Sequence, residues 1–445
     1  MIMVRTVIHL HAKGSDFMND RLFDFIEACP TPFHAVAHTA DILKKAGFTE
    51  LCERDSWEPE PGRGYYVTRN GSSLIAFRLP PDDFVGFMMA AAHCDSPCFR
   101  IKENAELDGS CCSRLATEGY GGMICSSWMD RPLSVAGRVM LRTESGVRTE
   151  LVDLDGVQAL IPNLAIHMNR SVNSSASYNA AVDMLPIYSS GTESGGFKQA
   201  VAAAVSANEE DILSWDLSLY VPQRGTEWNG FISAPRLDDL QCVFGALTAF
   251  LGADDSGSTK VFCLFDNEEV GSRTKQGAAS TFLTDVLMRI VRSTGGDDTV
   301  YRRAVSESFL VSCDNAHAVH PNHPEFSDRN HSVYMNGGIV IKYNAGQKYA
   351  TDAVSSALFK LICGEAGIPV QLYANRADMA GGSTLGNIVN EHVSLNTVDI
   401  GLAQLAMHSA YETAGAEDTD MLIRALTVFY EKTLCMERDG EYKLL

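Results

Sequence analysis

Positive charge is what this chain has least of. Its 445 residues carry 36 lysines and arginines against 56 aspartates and glutamates, a net charge of −20. Such a surface repels phosphate backbones and anionic headgroups, which argues against nucleic acid and membrane as partners. Long apolar runs are missing as well: none reaches the ~18 residues that a spanning helix needs. Among the twelve cysteines, those in His93-Cys-Asp-Ser-Pro-Cys98 form no Cys-x-x-Cys, so no thiolate zinc site is expected there. Several cysteines sit inside apolar runs and no secretory signal stands before them, so a reducing, cytoplasmic location is expected. Residues 1–13 hold Arg5 and Lys13 and no acid, too short a stretch for a targeting peptide, and read as a frayed terminus. The length exceeds one ordinary core and predicts two or more domains.

What is present is acid in a costly place. Val261–Phe265 is an apolar run of buried-strand type, and Asp266, Asn267, Glu268 and Glu269 crowd the loop that ends it. Two adjacent ionised glutamates at the lip of a core need a compensating charge. A divalent cation would supply it, one glutamate ligating while the other reaches a water; a solvated acidic turn is the plainer reading. A second apolar run, Phe84–Ala92, ends at His93-Cys-Asp95, where residues i and i+2 share one side of an extended segment. A third, Phe309–Cys313, runs into Asp314. Ligands of open α/β sheets sit beyond the carboxyl ends of the strands, and three such ends carrying His, Glu and Asp describe one site.

The remaining pattern fits that frame. Helices are predicted over 16–28 and from Thr31 to a break at Gly47, and a hairpin over 64–79 about Asn70-Gly71. Residues from about 101 to 233 are short alternating strands with glycine-rich and serine-rich loops, plus an alanine-rich helical piece at 199–207, and read as a β-rich domain inserted into a discontinuous catalytic domain of residues 1–100 and 234–445. At the entrance of an apolar helix from Cys242 to Leu251, Asp238 or Asp239 would either cap it or bridge two cations. His408, after a strand at 395–400, is read from its own segment as a packing residue or a ligand.

Nine segments in order resemble the aspartyl aminopeptidase family of dizinc exopeptidases: 30–36, 92–97, 163–168, 235–238, 265–271, 314–322, 341–344, 381–384 and 404–409, spread over nearly the whole chain. The resemblance implies an α/β fold, a zinc-exopeptidase-like mixed sheet flanked by helices, with the inserted part as a dimerisation domain. It implies two Zn2+ per subunit, which Co2+ or Mn2+ can replace, with His93 and Asp314 on one ion, Glu269 and His408 on the other, and Asp238 between them. Glu268 falls where the family has its general base, acting on a metal-bridging water, and Asp95 where a carboxylate supports the site. Lys342 matches a lysine that faces an acidic substrate side chain. Asp378, with Gly382 and Ser383 in the loop behind it, is the candidate for the substrate's free α-amine. His167 matches a histidine that enters the neighbouring subunit's site in homododecamers built from dimers.

The histidines at 317, 320 and 323 stand beside Asp314, but Pro321 and Pro324 forbid a helix that would align them, and they are read as a structural loop. The expected function is removal of N-terminal Asp or Glu from peptides. The alternatives are a neutral, Leu-like preference, hydrolysis of another amide, and a catalytically idle assembly or cargo protein on the same fold.

Overall fold

The computed structural model describes residues 15–81, 84–191 and 196–445. The expectation for residues 1–13 lies outside them. A nine-stranded sheet organises the molecule, in the order Thr49–Leu51, Gly64–Arg69, Ser73–Arg78, Thr259–Phe265, Phe87–His93, Phe309–Cys313, Asn396–Gly401, Ile339–Tyr343, Val370–Ala374. The four strands Thr259–Phe265, Phe87–His93, Phe309–Cys313 and Asn396–Gly401 are adjacent and parallel. Parallel strands are joined by crossovers that cover both faces, so their sequences are continuously apolar rather than alternating. The first three are buried along their whole length.

Alternate side chains of each strand feed different cores. Met88, Ala90 and Ala92 face the layer that contains the helices Leu237–Gly252, Ala353–Ala366 and Asp418–Tyr430. Phe87, Met89 and Ala91 face the opposite layer, with the helix Phe282–Ser293. Burial of about 25 cal/mol per Å2 of apolar surface on both faces holds this sandwich together.

The predicted helices appear at Ser15–Ala28 and Pro32–Lys45, the second with proline in its first turn. The predicted hairpin pairs Gly64–Arg69 with Ser73–Arg78. Two boundaries differ from the sequence reading. The strand before His93 starts at Phe87, because Val85 N donates to Gly257 O in a loop. The helix expected from Cys242 starts at Leu237, with Asp238 and Asp239 in non-helical conformation and joined by a cis peptide bond.

Between His93 and Leu237 the chain builds a six-stranded antiparallel sheet, in the order Gly146–Asp153, Ser134–Thr143, Ile212–Tyr220, Cys98–Leu107, Ser113–Tyr120, Ile187–Ser189. It has its own core around Phe99, Trp128, Val135, Phe197 and Leu217. A five-stranded sheet joins Phe231–Ala234 to Glu412–Gly415 and carries the chain from Ala403–Leu405 to His408. No helix among the described residues is long and apolar enough to cross a membrane.

Candidate metal centre

The four parallel strands deliver their carboxyl ends to one place. His93 ends one, the Glu268–Glu269 turn follows another, Asp314 a third, and the segment leading to His408 a fourth. The entrance of the Leu237–Gly252 helix adds Asp238. Three groups of metal-capable atoms form there, each within 4.8 Å of one another: His93, Asp238, Asp314; His93, Glu268, Glu269; and Asp238, Glu269, His408. Asp238 is shared by two of them. Its Oδ1 lies 3.3 Å from His93 Nε2 and its Oδ2 3.5 Å from His408 Nε2, and Glu269 Oε2 lies 3.3 Å from His408 Nε2.

Both histidines are oriented from behind. His93 Nδ1 stands 3.0 Å from Asp95 O and His408 Nδ1 2.9 Å from Gly122 O, which anchors each ring by its Nδ1 and turns Nε2 inward. The turn that carries the glutamates is held by one carboxylate. Asp95 Oδ1 accepts from Glu268 N and Oδ2 from Glu269 N, both at 3.1 Å. Asn267 before them and His408 itself adopt left-handed backbone, φ 68° and 66°, a conformation rare outside glycine and tolerated best by short polar residues and histidine. Such positions cluster where a fold holds functional groups in fixed directions.

The electrostatics ask for cations. Burial pushes the Glu268 carboxyl up to about 8 and lifts Glu269 and Asp314 as well. Burial opposes charge on His408, but the hydrogen bond to Asp238, the charges of Glu269 and Asp238 and the bond to Gly122 O together outweigh it and hold the ring up to about 10; His93 is likewise raised against burial by its bonds to Asp238 and Asp95 and the nearby acids. Against its own burial, the Asp238 carboxyl is held below the usual range by the two imidazoles. Asp238 Oδ1 and Glu269 Oε1 are buried and accept no hydrogen bond of good geometry. Unpaired buried carboxylate oxygens converging on imidazole nitrogens, with neighbouring acids pushed towards protonation, fit a divalent metal pair.

Asp239 is fully buried, accepts from His93 N at 3.3 Å and stands in none of the three groups. Lys342 is buried, donates to Asn315 O at 2.8 Å and lies 3.5 Å from Asp314 Oδ1. Asp378 is elsewhere: it takes two hydrogen bonds from Arg376, at 2.6 and 2.8 Å, on an exposed turn. Gly382 and Ser383 are exposed, and Ser383 lines a cleft of about 380 Å3 with Val270 and Gly271, the residues that follow Glu269. His167 is exposed in the 162–168 segment and joins none of the groups. The histidines at 317, 320 and 323 form no such group either, and line a separate cavity of about 310 Å3 with Tyr373 and Met407.

Four residues that the sequence reading passed over complete the site. Glu412 accepts from Asp238 N at 3.0 Å and from His408 N at 2.7 Å, tying two candidate ligands together. Asn315 donates to Leu237 O, Gln241 Oε1 and Gln404 Oε1, which joins Asp314 to the helix entrance. The Tyr120 hydroxyl donates to Asp95 Oδ2 at 2.6 Å, and Gly122 receives His408. Only Asn315, adjacent to Asp314, had a neighbour in the sequence that signalled its place.

Comparison with known proteins identifies the family. Residues 25–430 match the family model described as aminopeptidase I zinc metalloprotease (M18). A relative from Clostridium novyi, called a probable M18 family aminopeptidase 2, is 43% identical over 428 residues, covering 93% of this chain and 98% of its own. Among solved structures, one from a complex of Ape4 and Nbr1 superposes with a TM-score of 0.90 at 33% identity, over 95% of this chain and 87% of the other. A Saccharomyces cerevisiae mApe1 dodecamer gives a TM-score of 0.81 at 28% identity, over 93% and 96%. The chain is therefore a member of the M18 family of zinc aminopeptidases, metalloproteases that hydrolyse peptides from the amino terminus.

Proposed function

We propose that this aminopeptidase uses two metal ions and removes Asp or Glu from the free amino terminus of peptides. The observation that carries the metal count is Asp238, which turns one oxygen to each histidine. His93 and Asp314 would hold one zinc, Glu269 and His408 the other, with Asp238 between; cobalt or manganese suits the same oxygen-rich set. Cations held there supply Lewis acidity, lowering the pKa of a water and polarising the scissile carbonyl. Glu268 takes the proton of the attacking water and returns it to the leaving amine. Asp95 keeps Glu268 and Glu269 aimed through their backbone N–H groups.

For the substrate, Lys342 is the buried cation that would pair with an acidic side chain, and an unpaired ammonium would penalise neutral ones. For the α-amine, our candidates Gly382 and Ser383 stand by the cleft beside the Glu269 turn, and Asp378 would have to leave Arg376 to join them. One observation favours a second reading: the Lys342 ammonium already serves Asn315 O and lies beside Asp314, a structural duty compatible with neutral preference. Self-association into a homododecamer built from dimers through the 101–233 insertion, with His167 reaching a neighbour's site, is supported by the exposed apolar Leu164, Ile166 and Met168 around that histidine. A cytoplasmic location belongs to the same reading.

The test is hydrolysis of Asp-, Glu-, Leu- and Ala-anilides by zinc-loaded wild type, Lys342→Ala and Glu268→Gln, with amino-blocked substrates beside them. Acidic preference that collapses in Lys342→Ala supports the proposal. Leu or Ala preference, or an unchanged ratio in the variant, removes the substrate assignment. Turnover of blocked substrates removes the aminopeptidase reading of the site.

A further inference from the structure

We propose that Tyr120, a residue of the antiparallel sheet between His93 and Leu237, is a positioning residue for both active-site glutamates, acting through Asp95 and Asn267. The proposal rests on the roles assigned above to Glu268 and Glu269.

Tyr120 closes the Ser113–Tyr120 strand and is 8% exposed. Its hydroxyl donates to Asp95 Oδ2 at 2.6 Å and accepts from Asn267 Nδ2 at 2.9 Å. Asp95 in turn receives Glu268 N on one oxygen and Glu269 N on the other. Asn267 Oδ1 receives Thr274 Oγ1 and Gln276 Nε2, each at 2.8 Å, which fixes the far side of the turn. The phenol therefore sits where the carboxylate that grips the turn meets the residue that opens it. Arg100 lies over the ring, 4.2 Å from its centroid, and keeps the tyrosine from rotating away.

The residues after Tyr120 press on the same site. Gly121 has φ +73° and a Cβ there would stand 3.2 Å from Glu269 Cβ. Gly122 O holds His408 Nδ1, and Ile124 N donates to His408 O at 3.0 Å. One strand end of the second sheet thus touches one ligand carboxylate and one ligand histidine, and reaches the base through Asp95. A side chain that fixes such a constellation from behind typically changes metal affinity or activity by 10–100-fold.

Tyr120→Phe keeps the ring and removes both hydrogen bonds. In the full-length zinc enzyme, kcat should fall about 10–100-fold with KM within about two-fold. A chelator titration should release one of the two zinc equivalents, the one held by Glu269 and His408, at lower chelator than in wild type. A merely structural tyrosine would lower thermal stability without separating the two ions. Asn267→Gly approaches the network from the other side while keeping the left-handed turn; its effect and that of Tyr120→Phe should not add in the double variant. If Tyr120→Phe does not fold, an Asn267→Gly enzyme with the same kcat loss supports the proposal. Wild-type kcat and a wild-type chelator curve in either folded variant overturn it. Glu268→Gln serves as the control on the underlying reading: an active Glu268→Gln enzyme refutes the base assignment, whereas an inactive one beside a normal Tyr120→Phe refutes the role of Tyr120 alone.

Discussion

Asp238 divides its carboxylate between two histidines, Oδ1 at 3.3 Å from His93 Nε2 and Oδ2 at 3.5 Å from His408 Nε2. A carboxylate that offers one oxygen to each of two ions would make their binding interdependent. Asp238→Ala should therefore lose both zinc ions together, whereas Asp239→Asn, whose carboxyl faces His93 N and is driven towards the neutral form by burial, should keep both. Elemental analysis of the dialysed variants checks the pair, and equal metal loss in the two would contradict the assignment.

Glu268 is not needed to hold metal if its task is proton transfer. Glu268→Gln should retain two equivalents of zinc and lose kcat by about 10²–10⁴-fold. Steady-state kinetics on an anilide with a parallel metal assay measures both.

Metal and protons compete for the same atoms. In the metal-free site burial raises Glu268 to about 8, the acids and hydrogen bonds around His408 together hold it at about 10 against burial, and Glu269, Asp314 and His93 are raised too. At neutral pH the His408 ring carries a proton that a bound cation must displace, and the shifts of Glu269, Asp314 and His93 act in the same direction. Zinc binding should release protons and tighten as pH rises from 6 towards 8. Calorimetry in two buffers of different ionisation enthalpy reads the release directly; an identical heat in both would refute it.

Gly401 ends the Asn396–Gly401 strand where a Cβ would stand 1.9 Å from Asp314 O. The contact is with backbone, so it cannot be relieved by a side-chain rotation. Gly401→Ala should displace Asp314, lower zinc affinity at the His93–Asp314 position and destabilise the fold by about 1–3 kcal/mol. Chelator titration and thermal melting measure the two effects.

Leu164, Ile166 and Met168 are 61%, 48% and 78% exposed on the segment that bears His167. Met168→Glu should reduce the assembly to smaller species by light scattering and lower activity with it. His167→Ala should leave the assembly intact and still lower kcat; full activity in that variant would exclude a contribution from the neighbouring subunit.

Much of the site was legible because parallel strands are written as uninterrupted apolar runs, and their ends are visible where polar residues begin. His93, Asp314 and the Glu268–Glu269 pair were found that way, and the helix and hairpin over 15–78 followed from proline, glycine and helical spacing. His408 was less legible from its own surroundings, since it follows a short strand of a different sheet and its backbone is left-handed. The resemblance placed it, and the geometry brought its Nε2 to Asp238 and Glu269.

Sequence alone determined which residue types could meet a metal and that the chain returns to a parallel-sheet pattern after the insertion, because burial periodicity is a local property. Only the tertiary structure decided which groups orient them. Tyr120 reaches Asp95 from 25 residues away, Gly122 holds His408 across 286, and Glu412 reaches Asp238 across 174. Hydrogen bonds between such distant positions leave no periodic trace in the chain, since each needs only one donor and one acceptor brought within about 3 Å by the packing of separate sheets.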